Sequence, residues 1–261
     1  MTESLSPHDA PLAVVTGASS GIGAEFTRVL RARGYRVLAV ARRADRLAEL
    51  AKGSDGFIVP EVRDVTSDGA AEAILGRAEE LGGADLIVCN AGRGSRGRFH
   101  ESDPDDALGM IQLNVTANVN LVAQAVPKMV ARGSGGIIVV ASNLGFFATP
   151  NMAVYGATKA FLLSFTESLS AELDGTGVRA MALCPGATST EFGDVAGLGD
   201  TVEKTPGFTT AEEVVRGGLK AWDAGRTITV PGTIARLLTA FLAFSPRAVS
   251  RRIMGKIFTA G

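Results

Sequence analysis

In the stretch "AVYGATKAFLLSF" (153–165), Tyr155 and Lys159 stand four residues apart among small and apolar neighbours. On a helix that spacing puts a phenol and an ammonium on one face. A free tyrosine ionises near ~10, too high for proton transfer at neutral pH, and a neighbouring ammonium favours the phenolate. The pair could therefore give a proton to a carbonyl oxygen or take one from an alcohol. A lone Y-x-x-x-K pattern arises by chance on many helices. Here it follows Ser142, the last residue of the apolar run "GGIIVVAS" (135–142). The carboxyl ends of strands in open α/β sheets face the ligand crevice. A hydroxyl there could hold and orient the same oxygen.

The elements that must position these residues alternate regularly. Apolar runs at 11–17, 36–42, 57–62, 84–92, 135–142, 178–186 and 226–232 read as strands, and their lack of polar alternation marks strands covered on both faces. Between them, 21–33, 67–81, 105–131, 152–173 and 210–223 carry the 3.6-residue period of helices. The pattern predicts an α/β chain with one doubly wound, Rossmann-like domain: a mostly parallel, seven-stranded sheet with helices on both faces. Residues 1–10 read as a disordered tail, 187–209 as an irregular Gly- and Thr-rich loop, and 233–261 as a basic and apolar C-terminal helical extension.

The first strand runs into "TGASSGIGAEF", in which Gly17, Gly21 and Gly23 open a helix. Such a turn lets backbone N–H groups approach a pyrophosphate at a helix N-terminus. The second strand ends on Arg42 and Arg43, with no acidic residue before Asp45. Arginine at this place suits a ribose 2′-phosphate and so NADP(H) rather than NAD(H), and a solvated basic helix start is the alternative. Asp64 could accept from an adenine amino group beside a Val65 backbone donor, or simply cap a turn. Asn90, Ala91 and Gly92 place small residues where the sheet edge would meet a flat cofactor. The basic loop after them reads more simply as solvated.

These motifs ("TGASSGIG", "DV", "NAG", the Asn of "LNVTANVNL", the Ser of "VVASN", "YGATK" and "PGATST") run in the order and spacing of the short-chain dehydrogenase/reductase superfamily, which the chain resembles from Leu12 to about Pro231. The resemblance implies a single-domain oxidoreductase, usually a homodimer or homotetramer, that moves a hydride between a nicotinamide cofactor and a carbonyl or alcohol. It implies Asn114, Ser142, Tyr155 and Lys159 as the catalytic set. Asn114 would bend its helix and bind a water that feeds protons to Lys159. Lys159 would also hold the cofactor's ribose. Ser19, Ser20 and Ile22 would join the glycines at the cofactor, with Pro185, Gly186, Thr188 and Thr190 near the nicotinamide. The 187–209 segment becomes a substrate loop. Phe192, Val195, Leu198 and Phe208 would form one apolar pocket wall and Leu144, Phe146, Phe147 and Met152 the other, so an apolar substrate is expected; ordinary core packing of these residues is the alternative. A non-catalytic cofactor-binding sensor on the same fold is the rival reading; retention of both Tyr155 and Lys159 argues against it.

A formal net charge of −1 opposes a dedicated nucleic-acid binder. Cys89 and Cys184 lie in apolar runs and read as buried core residues in a reducing compartment. Neither His8 nor His100 has metal-ligand spacing. The first residues lack the pattern of a signal peptide, and no apolar run reaches transmembrane length, so a cytoplasmic address is expected. The extension beyond Gly232 mixes Arg236, Arg247, Arg251, Arg252 and Lys256 with Leu, Ile and Phe. As a lid or subunit contact it would turn Leu237, Leu238, Phe241, Leu242 and Phe244 toward protein. Peripheral contact with an anionic membrane is the alternative.

Overall fold

The computed structural model describes residues 6–195 and 205–259. Seven strands form one parallel sheet: β1 (Leu12–Thr16), β2 (Arg36–Ala41), β3 (Ile58–Val62), β4 (Ala84–Cys89), β5 (Gly135–Val140), β6 (Val178–Leu183) and β9 (Ile228–Thr229). Their order is β3-β2-β1-β4-β5-β6-β9. The chain winds outward from β1 to one edge, then returns to β4 and winds the other way. That reversal opens a crevice at the carboxyl ends of β1 and β4.

Both faces are covered. Along β1, Leu12 and Val14 join one core and Ala13 and Val15 the other. The first core packs against α3 (Ala70–Glu80), α5 (Ala117–Arg132) and α6 (Ala153–Glu172) through residues such as Ile74, Leu121 and Leu162. The second packs against α1 (Gly21–Ala32), α2 (Ala44–Ala51) and α8 (Ala211–Asp223) through Phe26, Leu47 and Val215. Period-two side-chain alternation with apolar residues on both sides is why the strands look continuously hydrophobic. Edge strand β3 differs: it contains Pro60 and exposes Val62, as an outermost strand can. Cys89 and Cys184 are free and buried in the first core, as expected.

The strands stop short of the apolar runs that announced them. Asn90–Gly92, Ser142 and Pro185–Gly186 lie beyond the carboxyl edge of the sheet, while Ala141 and Cys184 each still donate one bond, to the Leu183 and Thr229 carbonyls. The 105–131 segment also departs from a single helix. α4 (Pro104–Ile111), capped by the Asp103 side chain, passes through a wide π-turn at Gln112–Thr116 into α5. The 187–209 segment is less irregular than its composition suggested. It contains β7 (Thr188–Ser189), α7 (Glu191–Val195) and β8 (Thr209–Thr210), with Thr188 pairing Thr209. Residues 6–10 form a turn before β1, while 1–5 lie outside the described residues, as do Leu198 and the Val195 side chain.

The extension folds as α9 (Thr233–Phe244) and α10 (Arg247–Thr259). Leu237, Leu238, Phe241 and Phe244 do not face protein within the chain; all are exposed. Ala235 and Thr239 make the inward contacts instead, because only small side chains let α9 approach Gly186, Gly207 and the turn after Ser142. No helix among the described residues is long and apolar enough to cross a membrane.

Candidate functional site

Tyr155 and Lys159 lie on α6 in the chain's interior, 6% and 4% exposed. Beyond β5, the backbone N–H of Leu144 donates to Ser142 Oγ at 3.1 Å, which holds the hydroxyl at the start of a short 3-10 turn, Asn143–Phe146. The Ser142 hydroxyl stands near enough to the Tyr155 phenol to favour its ionised form. Lys159 Nζ donates to the Val140 carbonyl at 2.7 Å and sits 5.8 Å from the centre of the Tyr155 ring.

Burial dominates the electrostatics. It pushes the Tyr155 phenol up to about 12, with the Ser142 hydroxyl acting the other way. It draws Lys159 down to about 8. The sequence led us to expect a lowered tyrosine. The chain alone does the opposite, because loss of water penalises the phenolate more than the groups around it favour it. Tyr155 therefore holds its proton at neutral pH.

Asn114 occupies the middle of the π-turn and is completely buried. Its Nδ2 donates to the Arg93 carbonyl (2.9 Å) and to Thr158 Oγ1 (3.0 Å), and its Oδ1 accepts from the Arg93 N–H (2.9 Å). Asn118 Nδ2 donates to the Asn114 carbonyl at 2.7 Å. A Cβ added at Gly92 would lie 3.1 Å from Asn114 Oδ1 and 3.5 Å from Lys159 Nζ. One glycine thus separates the two polar groups.

The glycine turn lies across the crevice. Gly17 and Gly21 adopt φ of 68° and 53°. Asn90 Nδ2 donates to the carbonyls of Thr16 and Gly17, and Thr16 Oγ1 accepts from the N–H groups of Asn90 and Ala91. No side chain caps the N-terminus of α1, and its first turn holds no acidic residue. Free N–H groups at an unblocked helix start fit the pyrophosphate of a dinucleotide. At Gly23 a Cβ would stand 2.3 Å from the Gly17 carbonyl oxygen and 2.5 Å from Asn90 Nδ2. Gly23→Ala should therefore lower Tm by several degrees, since overpacking costs about 1–3 kcal/mol, and should also weaken cofactor binding. Thermal melting with and without dinucleotide checks both effects; an unchanged melt would mean that the turn relaxes freely. The Ile22 side chain is half-buried against the second core.

At the other end of the crevice, Arg43 braces the turn. It donates to Ser19 Oγ (3.1 Å), to Ser20 Oγ (2.7 Å) and to Glu191 on α7 (2.8 Å). Arg46 also faces Glu191, at 3.6 Å. These arginines hold the Glu191 carboxyl below the ordinary range, the Arg43 hydrogen bond most strongly. Arg42 is 76% exposed in its side chain and faces Asp64 at 3.7 Å. Asp64 forms the turn cap that was its simpler reading: Oδ1 accepts from Thr66 N and Oγ1, and these bonds lower its pKa. Val65 packs on the first core. Glu191 was not anticipated as part of the site. Its position 148 residues from Arg43 carried no local signal.

Beside Tyr155, Phe192 packs at 5.4 Å between ring centres. Leu144 and Phe192 border a small apolar cluster of Met110, Met152 and Tyr155, joined by Phe258 from α10. Phe146 is half-buried and packs against the first core. Phe147 and Phe208 are half-buried. Thr190 covers the glycine turn, where a Cβ at Gly21 would meet its methyl at 2.9 Å. Thr188 Oγ1 donates to the Gly186 carbonyl, and the Pro185 carbonyl accepts from Asn143 N. Two further contacts tie α10 to the rim: Asn151 Nδ2 and the Arg96 guanidinium both donate to the Phe258 carbonyl.

The short chain dehydrogenase family model matches residues 11–197. Over 184 residues the chain is 39% identical to an uncharacterized oxidoreductase of Myxococcus xanthus, covering 69% of this chain and 73% of that protein. Over 191 residues it is 36% identical to a probable NADP-dependent dehydrogenase of Haemophilus influenzae, covering 72% and 76%. A short-chain dehydrogenase from Sphingobium yanoikuyae, solved in complex with NADPH, superposes with a TM-score of 0.80 at 32% identity, covering 88% of this chain and 92% of that one. By the family model, these relatives and the sheet that carries the motifs, the chain belongs to the short chain dehydrogenase family.

Proposed function

We propose that this protein is an NADP(H)-dependent dehydrogenase or reductase of a carbonyl or alcohol on an apolar small molecule. The convergence of Ser142, Tyr155, Lys159 and Asn114 at the carboxyl edge of the sheet carries this reading. The dinucleotide, when bound, supplies or accepts the hydride. The residues of the chain do the rest. Ser142 holds the substrate oxygen. Tyr155 gives that oxygen its proton in reduction and takes it back in oxidation. Lys159 stabilises the phenolate left behind, and Asn114 braces the loop that keeps Lys159 in place. Gly17, Ser19, Ser20, Gly21 and Gly23 form the turn for the pyrophosphate, Arg42 and Arg43 take the 2′-phosphate, and Asn90, Ala91 and Gly92 line the crevice. Pro185, Gly186, Thr188 and Thr190 flank the nicotinamide end. The whole chain acts as one domain, with 187–209 as its substrate loop.

The NADPH complex of the Sphingobium yanoikuyae relative and the NADP dependence ascribed to the Haemophilus influenzae relative support the cofactor choice. Phe192 on Tyr155 and the neighbouring methionines support an apolar substrate. A panel of ketones, aldehydes and alcohols, followed by the absorbance of reduced nicotinamide, tests the reading; no turnover of any member with either cofactor would overturn it.

The Glu191 carboxylate on Arg43 competes with a 2′-phosphate for the same guanidinium. Glu191→Gln should tighten NADPH severalfold and leave NADH unchanged, because only NADPH carries the competing anion. Fluorescence titration of both cofactors measures this, and equal effects on the two would remove Glu191 from the phosphate site.

A further inference from the structure

Helix α9 turns its more apolar side away from the protein. Ile234, Leu237, Leu238, Phe241 and Phe244 recur at three- and four-residue steps, share one face, and are 41–92% exposed. Ala235 and Thr239 supply the inward side, with Thr239 Oγ1 accepting from Asn143 Nδ2. A helix meeting only water would distribute these residues the other way round. The same segment is one-signed in charge. After Gly232 it holds Arg236, Arg247, Arg251, Arg252 and Lys256 and neither Asp nor Glu. All five side chains are exposed. Among the described residues none of the five forms an ion pair.

We propose that α9 and α10 form a docking surface for an anionic lipid bilayer. The outward Leu and Phe side chains enter the boundary between headgroups and acyl chains, and the five cations meet the headgroup phosphates and carboxylates. A second copy of the chain is the rival occupant. Pairing this segment with itself would bring two sets of unpaired cations together without a carboxylate to answer them. An anionic bilayer answers both the apolar face and the charge.

The surface is also continuous with the rim of the candidate site. Asn143 contacts α9, and Asn151 and Arg96 contact the Phe258 carbonyl of α10. Docking would set the mouth of the site against the lipid, so that an apolar substrate enters from the membrane. This consequence rests on the dehydrogenase reading; the docking itself does not.

Co-sedimentation of the full chain with vesicles tests the proposal. Binding should be at least roughly tenfold stronger to phosphatidylcholine containing about 30% phosphatidylserine than to phosphatidylcholine alone, and added salt should weaken it. Leu237→Asp combined with Phe241→Asp changes only exposed side chains. It should abolish vesicle binding while the mass in solution, by light scattering, and the NADPH titration stay the same. Arg251→Glu with Arg252→Glu should remove the preference for phosphatidylserine. Wild-type protein that stays in the supernatant with both vesicle types would overturn the proposal. So would a double variant that falls to a smaller oligomer, which would assign the face to a second copy. Wild-type protein that binds NADPH but neither vesicle counts against the docking alone; wild-type protein that binds vesicles but not NADPH counts against the dehydrogenase reading alone.

Discussion

Tyr155→Phe should cut kcat for carbonyl reduction by about 10²–10⁴-fold, the usual contribution of a positioned acid, while the cofactor dissociation constant stays within a few-fold of wild type. The change removes one oxygen and keeps the ring that packs on Phe192 and within the Met110 and Met152 cluster. The loss therefore falls on a group that acts in the transition state, so kcat moves more than binding. The pH profile gives a second readout. Burial holds the phenol at about 12 and Lys159 at about 8. Below about 8 the phenol carries its proton and the ammonium stands ready to stabilise the phenolate that forms. As the pH rises through the Lys159 value the ammonium is lost, so the reduction rate should decline there. Steady-state kinetics from neutral to alkaline pH measure both effects. Turnover of Tyr155→Phe within a few-fold of wild type would sink the proton-transfer role.

Arg42→Ala should weaken NADPH by roughly tenfold and leave NADH nearly unchanged. Charge-assisted hydrogen bonds contribute about 1.5–3 kcal/mol, and solvent screening at this exposed side chain places the expectation at the lower end. Arg43→Ala should behave differently. Arg43 also holds Ser19 and Ser20 of the glycine turn, so its loss should weaken both cofactors. The two arginines are adjacent in the chain, yet Arg42 stands exposed beside Asp64 and Arg43 is held by Ser19, Ser20 and Glu191. Titration of each variant with both dinucleotides separates the roles. Wild-type protein that binds NADH as tightly as NADPH would overturn the cofactor assignment.

The sequence alone determined the fold class, because buried parallel strands and amphipathic helices write their periods locally. The seven apolar runs correspond to the seven strands, and Ser142, Tyr155 and Lys159 were recognisable from one strand end and one helix repeat. Strand lengths were overestimated at Asn90–Gly92 and Pro185–Gly186, since the small and apolar runs continue past the end of the regular ladder; Cys184 still donates to the Thr229 carbonyl of β9. The π-turn at Gln112–Thr116 hardly disturbs the helical period; the bend expected at Asn114 came from the resemblance and not from the pattern.

Tertiary structure decided what depends on residues far apart in the chain. Asn114 meets Thr158, Gly23 meets Asn90, and Glu191 meets Arg43 across 148 residues. No local pattern encodes such encounters; the order in which strands join the sheet does. The same holds for the direction of the Tyr155 shift. A lysine four residues along the helix is legible in the sequence, but the loss of water around the phenol follows from everything packed over it, and that loss outweighs the lowering by Ser142. In α9 the sequence shows an amphipathic helix. Only packing shows that the small residues Ala235 and Thr239 face inward, because the turn after Ser142 leaves no room for larger ones, and the leucines and phenylalanines are thereby turned outward.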